Sequence, residues 1–308
     1  MKKSKYNMKQ INHPRQWLLA AVCGTALVLT GCIQDNLAAC YKLTLKAENA
    51  KGEDVTGSAL TDASLYVFDE DYSYLETVRL TQAQILNREE IRLIYPEDRN
   101  LHVVAWGNLS GENQTVTESK LIEDLKVMLK SRDGLAQTPD DLFYGNRLVL
   151  TKAGGGIYED DTIVVRPKLS QVNIVTENIR YALEKNFPST ATEDIDCDYY
   201  VNRTLSGFDY QGQLTGDSVY YSPDAGWDEN KEYFAPNYRM CSGDNLGVEL
   251  TAENLTLATA THDDDGKPLK APEAGVLYVV LRFAENGSLL SVRQTVRPWG
   301  TVDDHIEF

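Results

Sequence analysis

The segment Tyr41-Lys42-Leu43-Thr44-Leu45-Lys46-Ala47 alternates apolar and polar side chains. A helix would scatter this set around its axis, whereas a strand gathers Tyr41, Leu43, Leu45 and Ala47 on one face, so the segment reads as a half-buried β-strand. Comparable runs recur at 64–69, 91–95 ahead of Pro96, 142–150, 162–166, 169–176, 248–257, 275–284 and 289–296, separated by Gly, Pro, Asn and Asp. Leu101-His102-Val103-Val104-Ala105-Trp106 is apolar almost throughout and closes on the turn signal Gly107-Asn108. Such continuity predicts a central strand. Three stretches break the period. Residues 80–86 suit a turn or two of helix, and Ile179, Leu183 and Phe187 mark another helix that stops at Pro188. The strongest helical pattern covers 115–130: Thr115 and Glu118 have capping-box spacing, and Leu121, Ile122, Leu125, Met128 and Leu129 share one helical face. The fold class is therefore mainly β. The order of strand-rich and helical stretches fits two sandwich-like units with small helical insertions, 41–166 and 167–308, meeting at Pro167.

Ahead of the first strand lies a different kind of sequence. Lys2, Lys3, Lys5, Lys9 and Arg15 precede an apolar run from Trp17 to Val28, and the run closes on Leu29-Thr30-Gly31-Cys32. This is the layout of a bacterial secretory signal, too short for a comfortable membrane span. A small residue before a cysteine lets the thiol be acylated, the signal 1–31 be cleaved after Gly31, and the new amino terminus be acylated in turn. Cys32 then carries the lipid and residues 32–40 form a tether. Several acyl chains bury enough methylenes, at about 0.8 kcal/mol each, for a stable hold. The expected location is the outer membrane, with the protein lipid-anchored.

Removing the signal leaves 25 basic against 46 acidic side chains, a formal charge of −21. A surface so acidic repels nucleic acid and anionic headgroups, so neither is expected as a partner. Cys40, Cys197 and Cys241 remain besides Cys32. They permit one disulfide, with Cys197–Cys241 preferred because both lie in one loop-rich region of an oxidising compartment, or three unpaired thiols.

No Gly-x-Ser-x-Gly elbow, His-Glu-x-x-His helix or dinucleotide fingerprint is present. No catalytic residue, cofactor, metal or small-molecule substrate is expected. His102 falls in a strand pattern and reads as a packed histidine. His262-Asp263-Asp264-Asp265-Gly266 resembles part of a calcium loop, but Pro272 stands where a bidentate glutamate is required, so it reads as a solvated turn. Ala153-Gly154-Gly155-Gly156 lacks a following Gly-Lys-Ser/Thr and reads as a hairpin turn. Residues 196–240 hold Tyr199, Tyr200, Phe208, Tyr210, Tyr220, Tyr221, Trp227, Tyr233, Phe234 and Tyr238. These aromatics suit either a core or a sugar-stacking surface with Trp227 foremost.

Ala63-Ser64-Leu65-Tyr66-Val67-Phe68-Asp69, the Leu101–Asn108 segment and Val296-Arg297-Pro298-Trp299, behind a lipidated Cys32, resemble the FimB/Mfa2 family of fimbrial anchor lipoproteins from the Bacteroidales. The resemblance spans essentially the whole mature chain. It implies two transthyretin-like β-sandwich domains, no catalysis, and a place at the base of a fimbrium with a shaft subunit as partner, holding the shaft and limiting its length. It further implies joining by strand addition, in which shaft subunits lose an amino-terminal strand and accept a neighbour's carboxy-terminal one. Cleavage behind Cys32 would free this chain from its lipid, so its first strand should be kept and its last donated. In 301–308, Val302, Ile306 and Phe308 fall on one face, interrupted by Asp304. The segment is a donor strand or a terminal strand folded back on its own unit.

Overall fold

The computed structural model describes residues 39–117, 120–151, 161–229 and 231–299. The signal, Cys32, the glycine turn at 154–156 and the tail with Val302, Ile306 and Phe308 lie outside the described residues. The chain begins with β1 (Ala39–Ala47), α1 (Thr56–Ala59), β2 (Asp62–Phe68) and β3 (Tyr74–Thr81). Next come α2 (Gln82–Leu86), β4 (Ile91–Tyr95) and β5 (Leu101–Gly107). Four short strands follow, β6 (Gln114–Val116), β7 (Val127–Leu129), β8 (Ser131–Arg132) and β9 (Leu135–Ala136). Longer strands resume with β10 (Phe143–Val149), β11 (Asp161–Pro167) and β12 (Leu169–Glu177), then α3 (Ile179–Asn186). The remainder is β13 (Cys197–Phe208), β14 (Leu214–Tyr221), β15 (Gly226–Trp227), β16 (Tyr233–Cys241) and β17 (Gly243–Ala252). Last are β18 (Leu255–Ala260), β19 (Leu269–Ala271), β20 (Gly275–Phe283) and β21 (Leu289–Pro298).

Seven strands form one sheet in the order β3-β2-β5-β10-β11-β1-β4. A five-stranded sheet runs β15-β16-β12-β20-β21, and a nine-stranded one is built on β18-β17-β13-β14-β9-β8 with β19, β6 and β7 attached. The protein is thus mainly β, as its sequence implies. β1 is an interior strand, parallel to β11 and antiparallel to β4, with its alternate residues from Ala39 to Ala47 buried. It begins two residues ahead of the expected Tyr41, so Ala39 and Cys40 belong to the sheet rather than to the tether.

β5 explains the continuous apolar run. Leu101, Val103 and Ala105 face a core shared with β1, β2 and β4, while Val104 and Trp106 face a second core built mostly from β12 to β21. Alternation still operates, but both faces are buried. Trp106, fully buried, meets Tyr144 at 4.9 Å and Phe208 at 5.7 Å between ring centroids. Beside them the buried Lys168 ammonium pairs with Glu273 and lies 5.6 Å from the Tyr144 ring centre and 5.9 Å from that of Phe208.

The expected helix at 115–130 does not form. β6 and β7 pair antiparallel there (Gln114↔Leu129, Val116↔Val127), with a single 3-10 turn over Ile122–Asp124 in the connection between them. β7 also pairs with β13, because Gly207 lets the backbones close in: a Cβ there would stand 2.4 Å from the Val127 carbonyl. Ile122, Leu125, Val127 and Leu129 still reach the second core, so helical spacing was satisfied by turn and strand instead. Residues 248–257 divide into the β17-β18 hairpin, which turns at Glu253 with φ of 55°. The helices at α2, with a capping box between Thr81 and Gln84, and at α3 agree with expectation.

The aromatic stretch is strand and core. Tyr199, Phe208 and Tyr221 are fully buried, Tyr233 nearly so, and Trp227 packs edge-on to Tyr233 at 5.4 Å. Trp227 is half-buried against Tyr233, and of the ten aromatics Tyr220 is the exposed one.

Replacing Trp106 by Ala empties the junction of two cores and should cost about 3–5 kcal/mol in urea unfolding. Leu148→Ala on the same sheet, at a site 47% exposed, should change stability by less than about 0.5 kcal/mol.

Candidate functional site

The turn after β5 is the foundation of a cleft of about 600 Å³. Gly107 packs so closely that a Cβ would meet Leu60 at 2.5 Å and Phe143 at 3.2 Å. Asn108 follows in the left-handed region, φ 61°, which Asn tolerates better than most residues. Its buried carboxamide accepts from the Thr61 amide (2.8 Å) and donates to the carbonyls of Ala59 (2.8 Å) and Asp141 (2.7 Å). Asp62 completes the clamp by accepting from the Leu109 amide and the Ser110 hydroxyl. Three separated segments are thus fixed around one side chain.

Val55, Ala59, Leu142, Phe143, Pro167 and Trp299 give the cleft an apolar lining, with Lys51, Glu53, Asp140 and Asp141 among its charged residues. The carboxylates are engaged: Asp140 accepts from Gln114 (2.7 Å), Asp141 pairs with Arg239 (2.7 Å) and Glu53 accepts from Asn49 (2.7 Å). Trp299 belongs here because β20 and β21 pair over their whole length, from Phe283↔Leu289 to Gly275↔Pro298, and the Trp299 amide then donates to Ala274 at 2.8 Å. The last described residue therefore belongs to the cleft lining.

The remaining sequence-selected residues are dispersed. His102 is half-buried on β5, its ring centroid 4.6 Å from that of Tyr72. Near His262 the chain makes the expected turn, but the turn does more than fill space. Gln294 and the amides of Lys267 and Asp265 donate to the Asp263 carboxylate and hold its pKa below the usual range. Asp264 exchanges bonds with the outward edge of β21: its amide donates to the Val292 carbonyl and its carboxylate accepts from the Val292 amide, both at 2.9 Å. This latch, invisible as a local motif, covers the middle of an edge strand. Among the described residues no three His, Cys, Asp or Glu side chains gather as metal ligands.

Cys197 and Cys241 are not joined; both are buried free thiols. The Tyr233 hydroxyl donates to the Cys197 carbonyl, and Cys241 lies at the other end of the same strand as Tyr233. Eight residues of strand span about 26 Å, whereas a disulfide needs Cα atoms within about 7 Å. Nearness in sequence did not become nearness in space because β16 runs straight between the two neighbourhoods. Burial pushes each thiol up to about 12.

Among the described residues the chain is a many-sheeted β protein with packed rings, a clamped turn and a latched edge strand. The family model for fimbrillin-A associated anchor proteins Mfa1 and Mfa2 matches residues 36–305, and the chain belongs to that family. It is 28% identical over 291 residues to the major fimbrium anchoring subunit FimB of Porphyromonas gingivalis strain W83, covering 90% of this chain and 93% of the relative. The FimB of strain ATCC 33277 matches at the same identity and coverage. Among solved structures, the fimbrial anchor protein Mfa2 from Porphyromonas gingivalis superposes with a TM-score of 0.64 at 14% identity, over 85% of this chain and 97% of that one. That likeness concerns the fold. No helix among the described residues is long and apolar enough to cross a membrane.

The thiols give a direct check. In the native protein at pH 8 to 9.5, where an ordinary cysteine near 8.5 becomes thiolate, Cys197 and Cys241 should stay protonated and resist iodoacetamide. Both should label after unfolding in urea without reductant, and reductant should leave the melting temperature unchanged.

Proposed function

We propose that this chain anchors a fimbrium to the outer membrane, through lipid on Cys32 at one end and through strand addition to the first shaft subunit at the other. The observation that carries the reading is the position of β1. It fills an interior place in its sheet, with Tyr41, Leu43 and Ala47 fully buried. Extracting it would expose that apolar face and the backbone groups of both neighbours, so the chain is built to keep the strand that follows its tether. What then remains for joining is the carboxy-terminal segment beyond Trp299, a residue of the cleft lining; it carries Val302, Ile306 and Phe308 on one strand face, interrupted by Asp304.

The division into two transthyretin-like sandwiches at Pro167 belongs to the same proposal. It is supported by the change of sheet there, since β11 ends at Pro167 and β12 opens the five-stranded sheet at Leu169. The pairing of β7 with β13 ties the two halves together. Non-enzymatic action fits the family, and a base that ends the fibre also limits its length.

Cys32→Ala should release both this protein and attached fimbriae into the medium; fimbriae that stay on the cell would contradict the anchor. From detergent-solubilised outer membrane, the full chain should recover a ladder of shaft subunits. A chain ending at Trp299 should recover none while melting at the same temperature; an equal ladder from both would move the joint away from the tail. Deleting the gene should lengthen the fibres.

A further inference from the structure

The outward face of the nine-stranded sheet holds a depression of about 240 Å³ where β13 is irregular. Val201 is opposite Tyr221 and Thr204 opposite Val219, so β13 has one residue more than β14 between these pairs. Asn202 and Arg203 together oppose Tyr220, which is a β-bulge, a device that re-aims side chains. Arg203 takes up the extra residue with φ of +66°, a conformation that persists only where its surroundings enforce it. Two contacts do so. Asn202 donates to Glu249 at 2.8 Å, and the Thr204 hydroxyl donates to the Ser242 carbonyl at 2.7 Å.

On the other flank Asn202 pairs with Gly247. A Cβ at Gly247 would lie 2.3 Å from the Asn202 Oδ1 and 3.6 Å from the Arg203 Nε, so the missing side chain is what makes room for both. Tyr220 is 45% exposed. Neither its hydroxyl nor the Arg203 guanidinium has a hydrogen-bond or ion-pair partner among the described residues. Thr259, paired with Glu249 across β17 and β18, adds a hydroxyl to the same depression.

We infer that this depression binds a pyranose unit of a glycan. A sugar ring offers an apolar face and adjacent hydroxyls that both donate and accept. The depression supplies an exposed phenol ring beside a guanidinium, a carboxamide and a carboxylate, planar groups that engage neighbouring hydroxyls in pairs. Other ligands fit less well. A phosphate or nucleic acid would meet Glu249 beside a single cation, a metal would find one carboxylate, and an apolar peptide would find few apolar side chains in the lining. The site uses neither the cleft nor the tail, so its fate is separate from that of the anchor reading.

The test is binding of the full chain in detergent to an array of bacterial and host glycans. Hits are then titrated as free galactose, glucose, mannose, N-acetylglucosamine and galacturonate by saturation-transfer NMR. Tyr220→Ala and Arg203→Gly are compared with the parent. Glycine accepts a positive φ, so Arg203→Gly should melt no lower than the parent while losing the guanidinium. The expected result is saturable binding that weakens about tenfold or more in each variant; a preference for galacturonate would assign the sugar carboxylate to Arg203. An array without hits, or binding that survives both substitutions, overturns the site.

Discussion

Much of this structure depends on one strand being buried on both faces. In β5, odd-numbered Leu101, Val103 and Ala105 serve one core and even-numbered Val104 and Trp106 serve the other. A slip of one residue would exchange the two sets, placing a tryptophan where an alanine fits, so the register is fixed from both sides at once. Because Gly107 and Asn108 continue directly from this strand, the same constraint positions the clamp that holds residues 59, 61 and 141 around the cleft. Core and cleft are consequences of one register.

The ring cluster at this junction also carries a charge. Lys168 is buried immediately after Pro167, and its ammonium is compensated by Glu273 and by the faces of Tyr144 and Phe208. A buried cation is costly unless so surrounded. Burial pushes the Tyr144 hydroxyl up to about 12, and that hydroxyl donates to the Tyr210 carbonyl at 2.9 Å. Polar groups here fix orientation between the sheets, while the rings supply most of the buried area.

Strands with clean alternation were legible, since period two in β1, β4 and β11 admits few other readings. β13, β14 and β16 were obscured because bulges break their period and aromatics sit among Gly, Asp and Asn. The 115–130 segment misled because apolar residues spaced for a helix also fit a turn followed by a strand, and the deciding partner, β13, lies some eighty residues onward. Distance explains the site as well. Gly107-Asn108 announced a turn, yet its function is to join segments that no local pattern connects. Tyr220, Arg203 and Glu249 come from three strands and meet only after the sheet forms. The Cys197–Cys241 pairing failed for the opposite reason, two nearby residues being held apart by a straight strand.

A β protein that joins others through backbone pairing must close the edges it does not intend to use. β21 is held at Val292 by the Asp264 latch, and β4 is short and presents Arg92, paired with Glu90, beside the exposed Ile94. β1, the strand nearest the tether, is not an edge at all. On the proposed reading these closures are what make a single terminal donor effective: strand addition is sequence-tolerant in its hydrogen bonds, so specificity comes from leaving one partner segment available and few competing edges.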